Sequence, residues 1–307
     1  MQTVEYRDRL LPDLARLANR HLGLLTPGWE LTERQLASVL RDPLQYGPYF
    51  REEPRPGTTE TMCVMDRERL VAAAALWLPE RSDPRWSDGR LRGDGRDEAE
   101  LLWLLSDPES EGGLRTLLEA ACRRAARLGC RRITAGDVCS VCPARYGVPA
   151  SWTYLGAGLE DRGFEVTSQS AMMHARLTDL HDGPPADIDG LTLEWREDPE
   201  VPEWELVARV GGRQVGECLA WGLSRHVADH PEYRRWMMVE WIEVAESHRR
   251  RGIGRRLVRE QMRAHAERGG TDALLQVFLP DPDAARFHEA MGFSVIETGS
   301  TYRKDGL

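Results

Sequence analysis

The amino-acid sequence predicts an α/β (α+β) chain of two tandem domains, each a mixed, mostly antiparallel twisted sheet flanked by helices. Three observations carry this reading. The chain has 307 residues, 41% of them hydrophobic and 30% charged, enough for two ordinary cores and too apolar for disorder. The segment Asp179–Gly190, "DLHDGPPADIDG", lacks apolar periodicity and divides the chain near residue 185. The two sides also repeat weakly. "LEDRGFEV" (Leu159–Val166) echoes "HEAMGFSV" (His288–Val295), and "EGGLRTLLEAACRRAARLGCRRI" echoes "RGIGRRLVREQMRAHAERGGTDA".

The elements follow in order. The first half opens with helical segments over 9–24 and 32–41, then strands over 61–66, 70–78 and 99–105. A helix over 113–128, a strand over 132–137 and a helix from Trp152 complete it. The second half reads β-β-β-β-α-β-α-β. Strands over 191–195, 204–210 and 214–221 come first, the last two flanking Gly211-Gly212, a hairpin signal. A strand over 237–244 leads directly into a helix over 252–268. Ile253, Leu257, Val258 and Met262 form its apolar stripe, and Gly269-Gly270 stop it. A strand over 273–279, a short helix over 284–291 ended by Gly292, and a strand from Phe293 close the chain.

Composition excludes several function classes. A formal charge of -9 offers no broad basic face for nucleic acid. Lys304 is the only lysine, and this arginine bias with abundant Ala, Gly and Trp points to a GC-rich bacterial genome. Glu5, Arg7, Asp8 and Arg9 stand where a signal peptide needs apolar residues, and "LVAAAALWLP" (70–79) is too short to span a bilayer. Six cysteines are not a disulfide scaffold in a chain of this size. The lone Cys139-Ser-Val-Cys142 lacks a second ligand pair, so it reads as loop thiols rather than a metal site. The expectation is a cytoplasmic monomer or homodimer with no metal, membrane or nucleic-acid partner.

One segment contradicts the acidic balance. "SHRRRGIGRRLV" (Ser247–Val258) packs five arginines around two glycines between a strand and a helix. The first helical amides have no intrahelical partners, and the macrodipole puts partial positive charge there. Gly252 and Gly254 would let a phosphate approach those amides, and arginines add charge-assisted bonds. This is chemistry for a pyrophosphate.

The run "RRRGIGRRL" after "WIEV" resembles the acyl-CoA motif of the GNAT superfamily of N-acetyltransferases, Arg/Gln-x-x-Gly-x-Gly/Ala, with Arg249, Gly252 and Gly254 at its fixed positions. "DPDAARFHEAMGF" (281–293) fits the frame of the family's second motif. The resemblance covers 191–303 well and the first half faintly. It implies acetyl-CoA as co-substrate, fourth and fifth strands that splay around the pantetheine arm, and direct acetyl transfer to the primary amine of a small molecule. Backbone groups of Ile242 and Val244 would hold the pantetheine. The amides of Arg250, Arg251, Gly252, Ile253, Gly254 and Arg255 would hold the pyrophosphate. His288 stands where the family has the tyrosine that protonates the leaving thiolate; it either donates that proton or fills the tyrosine's space. Asp281 replaces the family's asparagine, leaving its role near the cofactor open. For the base that deprotonates the amine, Glu240 and Glu243 are the candidates. Strand alternation sends them to opposite faces unless a bulge intervenes.

The repeat predicts one silent half. Glu109 and Glu111 stand opposite Arg249 and Arg251, Leu114 opposite Gly254, and Leu159 opposite His288. Carboxylates there repel phosphate, and a leucine blocks its approach. The expected organisation is a degenerate domain over 1–180 without acyl-CoA, a linker over 181–190, and a catalytic domain over 191–307. Only 196–203 separate the second half's first two strands, where the family normally has two helices. The acceptor cleft is therefore expected to be completed by the first half or by the loop 222–236, where His226, His230 and Tyr233 could contact substrate. The layout is similar to that of the mycothiol synthases, which makes acetylation of a cysteinyl amine one alternative. A non-catalytic acyl-CoA-binding regulator is another.

Overall fold

The computed structural model describes residues 1–25, 30–41, 57–80, 97–110, 112–136, 147–179, 188–198, 201–223, 234–279 and 281–307. The CxxC pair, most of the 179–190 segment, Glu111 and the loop histidines 226 and 230 with Tyr233 lie outside the described residues. The chain divides into two compact units, residues 1–170 with 297–307, and residues 171–296. The division falls inside a strand, ahead of the expected linker, and residues 297–307 belong with the first unit.

The first unit contains β1 (Gln2–Glu5), α1 (Leu11–Leu25), α2 (Glu33–Arg41), β2 (Gly57–Asp66), β3 (Arg69–Pro79), β4 (Glu98–Ser106), α3 (Gly113–Arg127), β5 (Arg132–Ala135), β6 (Val148–Pro149), α4 (Thr153–Glu160) and the start of β7 (Glu165–Arg176). The second contains the rest of β7, then β8 (Leu191–Asp198), β9 (Val201–Val210), β10 (Arg213–Gly222), β11 (Trp236–Val244), α5 (Ile253–Glu267), β12 (Asp272–Phe278), α6 (Pro282–Glu289) and the start of β13 (Ser294–Asp305). Strands β1 and β6, at four and two residues, are too short to show a periodic pattern in the sequence.

Each unit is a mixed sheet flanked by helices, antiparallel except for one parallel pair. The order is β1-β2-β3-β4-β5 in the first and β8-β9-β10-β11-β12 in the second. The final strands are exchanged. Strand β13, which ends the second repeat, pairs with β5 (Tyr302 opposite Ala135), while β7, which ends the first repeat, neighbours β12.

Local sequence explains the elements. Thr32 and Gln35 form a capping box at α2, the Thr32 hydroxyl accepting the Gln35 N–H (3.2 Å) and the Gln35 carbonyl oxygen accepting the Thr32 N–H (2.7 Å). Strand β3, apolar over nearly its whole length, is buried on both faces. In α5 the predicted stripe is fully buried, with Leu257, Val258 and Met262 packed on the core of β9, β10 and β11. The burial of such a stripe supplies most of a helix's stability.

The repeat is explicit in the backbone. Gly112 and Gly252, the N-caps of α3 and α5, have the same left-handed conformation, φ 84° and ψ -1°. Their C-caps, Leu128 and Arg268, agree to within a few degrees (φ -88° and -89°). The N–H of Asp107 bonds Val71 O, and that of Ala245 bonds Val215 O, each at 2.8 Å.

Candidate active site

Strands β11 and β12 run parallel for four register pairs, Trp236–Val239 against Asp272–Leu275, and then part. The parting point coincides with a bulge. In the β10–β11 ladder Leu219 faces Trp241 and Ala220 faces Val239, so Glu240 is the extra residue. Beyond it, the Ala245 N–H to Val215 O bond fixes the phase of the ladder. In an antiparallel pair the bonded residues alternate, so the peptide groups of Ile242 and Val244 point away from β10, toward the edge that β12 has left. Their side chains pack with the core beside α5. Trp241 and Glu243 therefore lie on the opposite face, both exposed.

Strand β11 leads into the arginine-rich turn. Arg250 (φ 64°) and Gly252 (φ 84°) are both left-handed, a turn geometry that gathers successive N–H groups into an anion-binding concavity. The ladder of α5 begins with Arg256 N–H to Gly252 O (3.0 Å), leaving the amides of 250–255 ahead of it. Arg249 donates from Nε to Val244 O (2.9 Å), tying the turn to the end of β11. Arg250, Arg251 and Arg255 pair with no carboxylate among the described residues. Concave amides and guanidinium groups together suit a multiply charged anion.

The bulge also decides the carboxylates. Trp221 donates its indole N–H to Glu240 Oε2 (3.2 Å), and Trp221 lies on the face of β10 away from α5. With the bulge, Glu240 shares that face with Glu243, which sits directly opposite Glu217. Glu240 is half-buried and held, whereas Glu243 is exposed.

Three residues of the sequence reading gain a structural setting. His288 is buried, in edge contact with Phe287 (4.8 Å between ring centroids), and burial lowers its pKa to about 4. It is neutral at pH 7 and holds no imidazolium proton for a thiolate. Its repeat counterpart is the fully buried Leu159, in keeping with the space-filling alternative. Asp281 caps α6, its Oδ1 accepting the N–H groups of Asp283 (3.1 Å) and Ala284 (3.0 Å). Gly254 is a packing glycine. A Cβ there would lie 3.3 Å from Phe287 Cζ and 3.5 Å from Ile242 Cδ1.

The first unit repeats this architecture with the site closed. Its parallel ladder also has four pairs, and its bulge falls on Leu102. The positions of Glu240 and Glu243 are taken by Leu102 and Leu105, fully buried, and Trp103 is 2% exposed where Trp241 is 53% exposed. Helix α1 covers β4 there. From α1, His21 Nε2 accepts the Ser106 N–H (3.4 Å), the amide equivalent to that of Val244, and also meets the Tyr154 hydroxyl. Its Nδ1–H donates to Leu17 O (2.8 Å), and burial holds it neutral with a pKa of about 4. The turn has five residues (107–111) instead of seven (245–251), so strand and helix align at different offsets. Its buried carboxylate among the described residues is Asp107, which binds Arg20 (2.7 Å), Arg69 and the Glu109 N–H (3.0 Å). Glu109 itself is exposed. Asp107 follows its strand directly, in the place of Ala245; counting back from the helix glycines hides that equivalence.

Leu114 exchanges volume rather than only blocking a ligand. It lies against Gly158, where a Cβ would sit 2.3 Å from Leu114 Cδ2. The second unit has the reverse pair, Gly254 against Phe287. Gly254→Leu is therefore expected to destabilise by about 1–3 kcal/mol through overpacking. Adding Phe287→Gly should recover at least half of that loss, as read by urea unfolding. A recovery of nothing would refute the exchange.

Among the described residues no helix is long and apolar enough to cross a membrane, and no His, Cys, Asp and Glu group could hold a metal. Residues 171–293 match the family described as Acetyltransferase (GNAT) family. No curated protein matches the chain significantly. Among solved structures, the chain is similar to a tandem GNAT protein from the clavulanic acid biosynthesis pathway (TM-score 0.69, 14% identity, 99% of this chain and 98% of that one). It is also similar to a GCN5-related glucosamine N-acetyltransferase region of a fungal multi-domain GH3 β-N-acetylglucosaminidase (TM-score 0.68, 15% identity), covering 99% of this chain but only 38% of that one. A third is a GCN5-related N-acetyltransferase from Sphaerobacter thermophilus (TM-score 0.62, 16% identity, 99% and 95%). At these identities the likeness is one of fold.

Proposed function

We propose, from the match of residues 171–293 to the GNAT acetyltransferase family, that this protein moves an acetyl group from acetyl-CoA to the primary amine of a small molecule, at one site in the second unit. The observation that carries the reading is the open edge of β11. The peptide groups of Ile242 and Val244 face the gap left by β12, directly ahead of the amide-rich turn over 250–255. Those strand groups would orient the thioester arm and polarise its carbonyl, and the turn would hold the diphosphate. One structural neighbour is named for glucosamine acetylation, in keeping with an amine acceptor.

The chain's residues supply the rest. An ammonium must lose a proton before its nitrogen can attack, and Glu240, fixed by Trp221, accepts that proton directly or through water. The nitrogen bonds to the thioester carbon, the carbon–sulfur bond breaks, and the thiolate takes a proton. Because His288 is neutral and buried, that proton comes from water or the new amide nitrogen.

Acetyl-CoA titrated calorimetrically into the full chain should bind at one site per chain, since His21, Trp103 and Leu114 fill the first unit's cleft. A panel of amines should then release free thiol. Two sites per chain would overturn the assignment of the first unit. Binding with no thiol released by any amine would leave a coenzyme-binding regulator instead.

A further inference from the structure

The face of the second unit that presents Glu240 and Glu243 carries two exposed aromatic side chains, one on each of the parting strands. Trp241 is 53% exposed and Phe278 is 58% exposed. Their faces follow from packing. Ala273, Leu275 and Val277 of β12 enter the core beside α5, so Phe278 points to the other face, as Trp241 does on β11. Both flank the mouth of the gap.

Single exposed apolar side chains are ordinary, whereas two rings on adjacent strands of one face, beside a candidate site, make a surface suited to a ligand. The repeat sharpens the contrast. At the same backbone position the first unit has Trp103, which is fully buried, on a strand against which α1 packs. The second unit has no helix between β8 and β9 to cover this face, since Val201 follows Asp198 closely in a paired hairpin. The residue type persists in both copies, but only in the open copy does its ring reach solvent.

Carboxylates line the strands beside Trp241 on this face, among the described residues. Glu205 on the same face is neutralised by Arg196 (3.3 Å). Glu217 accepts from the Gln214 side chain (2.7 Å), and Glu243 stands opposite it across the ladder. Like charges facing one another across a sheet are unfavourable without a cation between them. The surroundings therefore favour an ammonium group on an apolar, ring-sized skeleton. A ring rich in hydroxyls would need many neutral donors and acceptors, whereas the faces of Trp241 and Phe278 suit flat carbon surfaces and cations.

Resting on the acetyltransferase reading, we propose that Trp241 and Phe278 set the acceptor specificity, selecting an arylalkyl primary amine over an amino sugar or a bare alkylamine. Both residues touch substrate and take no part in proton transfer.

The test compares 2-phenylethylamine, glucosamine and methylamine, with the wild-type chain and with Trp241→Ala and Phe278→Ala. Thiol release gives kcat/KM for each amine, and calorimetry gives the affinity of 2-phenylethylamine for the CoA-loaded protein without any turnover. Wild type should prefer 2-phenylethylamine to both others by at least tenfold. Each substitution should cut the ratio of 2-phenylethylamine to methylamine by about tenfold, the loss expected when an aromatic contact is removed. A merely structural effect would lower both amines together and leave the ratio intact, and that result overturns the proposal. Equal or better turnover of glucosamine overturns it too while sparing the acetyltransferase reading. If 2-phenylethylamine binds, and Trp241→Ala weakens it tenfold, yet no thiol appears, the two rings remain an arylalkylamine contact while the acetyl-transfer reading falls.

Discussion

Glu240→Gln is expected to lower kcat by about 10²–10⁴-fold while acetyl-CoA affinity stays within twofold, because the change removes a proton acceptor without altering the shape of the strand. The position is specified by three linked facts. Glu240 is the bulged residue of β11, it sits where β12 departs, and its carboxylate is fixed by the Trp221 indole. A held carboxylate loses little order when it accepts a proton, whereas an exposed one must be placed anew in each turnover. Glu243→Gln should accordingly cost less than about fivefold. Steady-state kinetics with the best amine decides between them. If Glu243→Gln is the more damaging change, the acceptor enters nearer the end of the strand and Glu240 is a structural partner of Trp221.

Charge reversal at Arg249 should weaken acetyl-CoA binding by about 100-fold or more. The side chain ties the turn to Val244 O at 2.9 Å, so Arg249→Glu removes that bond and leaves a carboxylate where the diphosphate would lie. Loss of one charge-assisted bond is worth about 1.5–3 kcal/mol, and added repulsion brings the total near 3 kcal/mol, or roughly 100-fold. Arg249→Lys should fall between, since an ammonium keeps the charge but lacks the guanidinium fork. Calorimetric titration reads both, and a charge-reversed chain that binds within threefold of wild type would remove Arg249 from the site.

Much of the site is legible in the amino-acid sequence. The arginine-rich turn and the helix after it follow from glycines and an apolar stripe that are local in sequence. Gly252 and α5 lie where that pattern places them. The pairing of Glu240 and Glu243 on one face is legible only as a condition, because a bulge depends on the neighbouring strand, and nothing in "VEWIEV" alone reveals the shift between Leu219 and Ala220. His288 stays open in the sequence for a related reason. Its chemistry permits proton donation, but its burial against Phe287 and Phe293 is a property of packed partners. The Leu114–Gly158 and Gly254–Phe287 exchange is half visible, since one member of each pair lies on a different helix. The closure of the first unit by His21 links residues far apart in the chain, Leu17 to Ser106, and no local pattern encodes it.

The exchanged final strands bear on how the two copies could diverge. Strand β12 has β7 beside it, a segment encoded by the first repeat, and β5 depends on β13 from the second. Neither gene half, translated separately, would supply its own closing strand, and each product would expose a raw sheet margin prone to sticking to other chains. Whatever chemistry the first copy keeps or loses, selection could not discard it, because it makes one ribbon of backbone that its twin cannot.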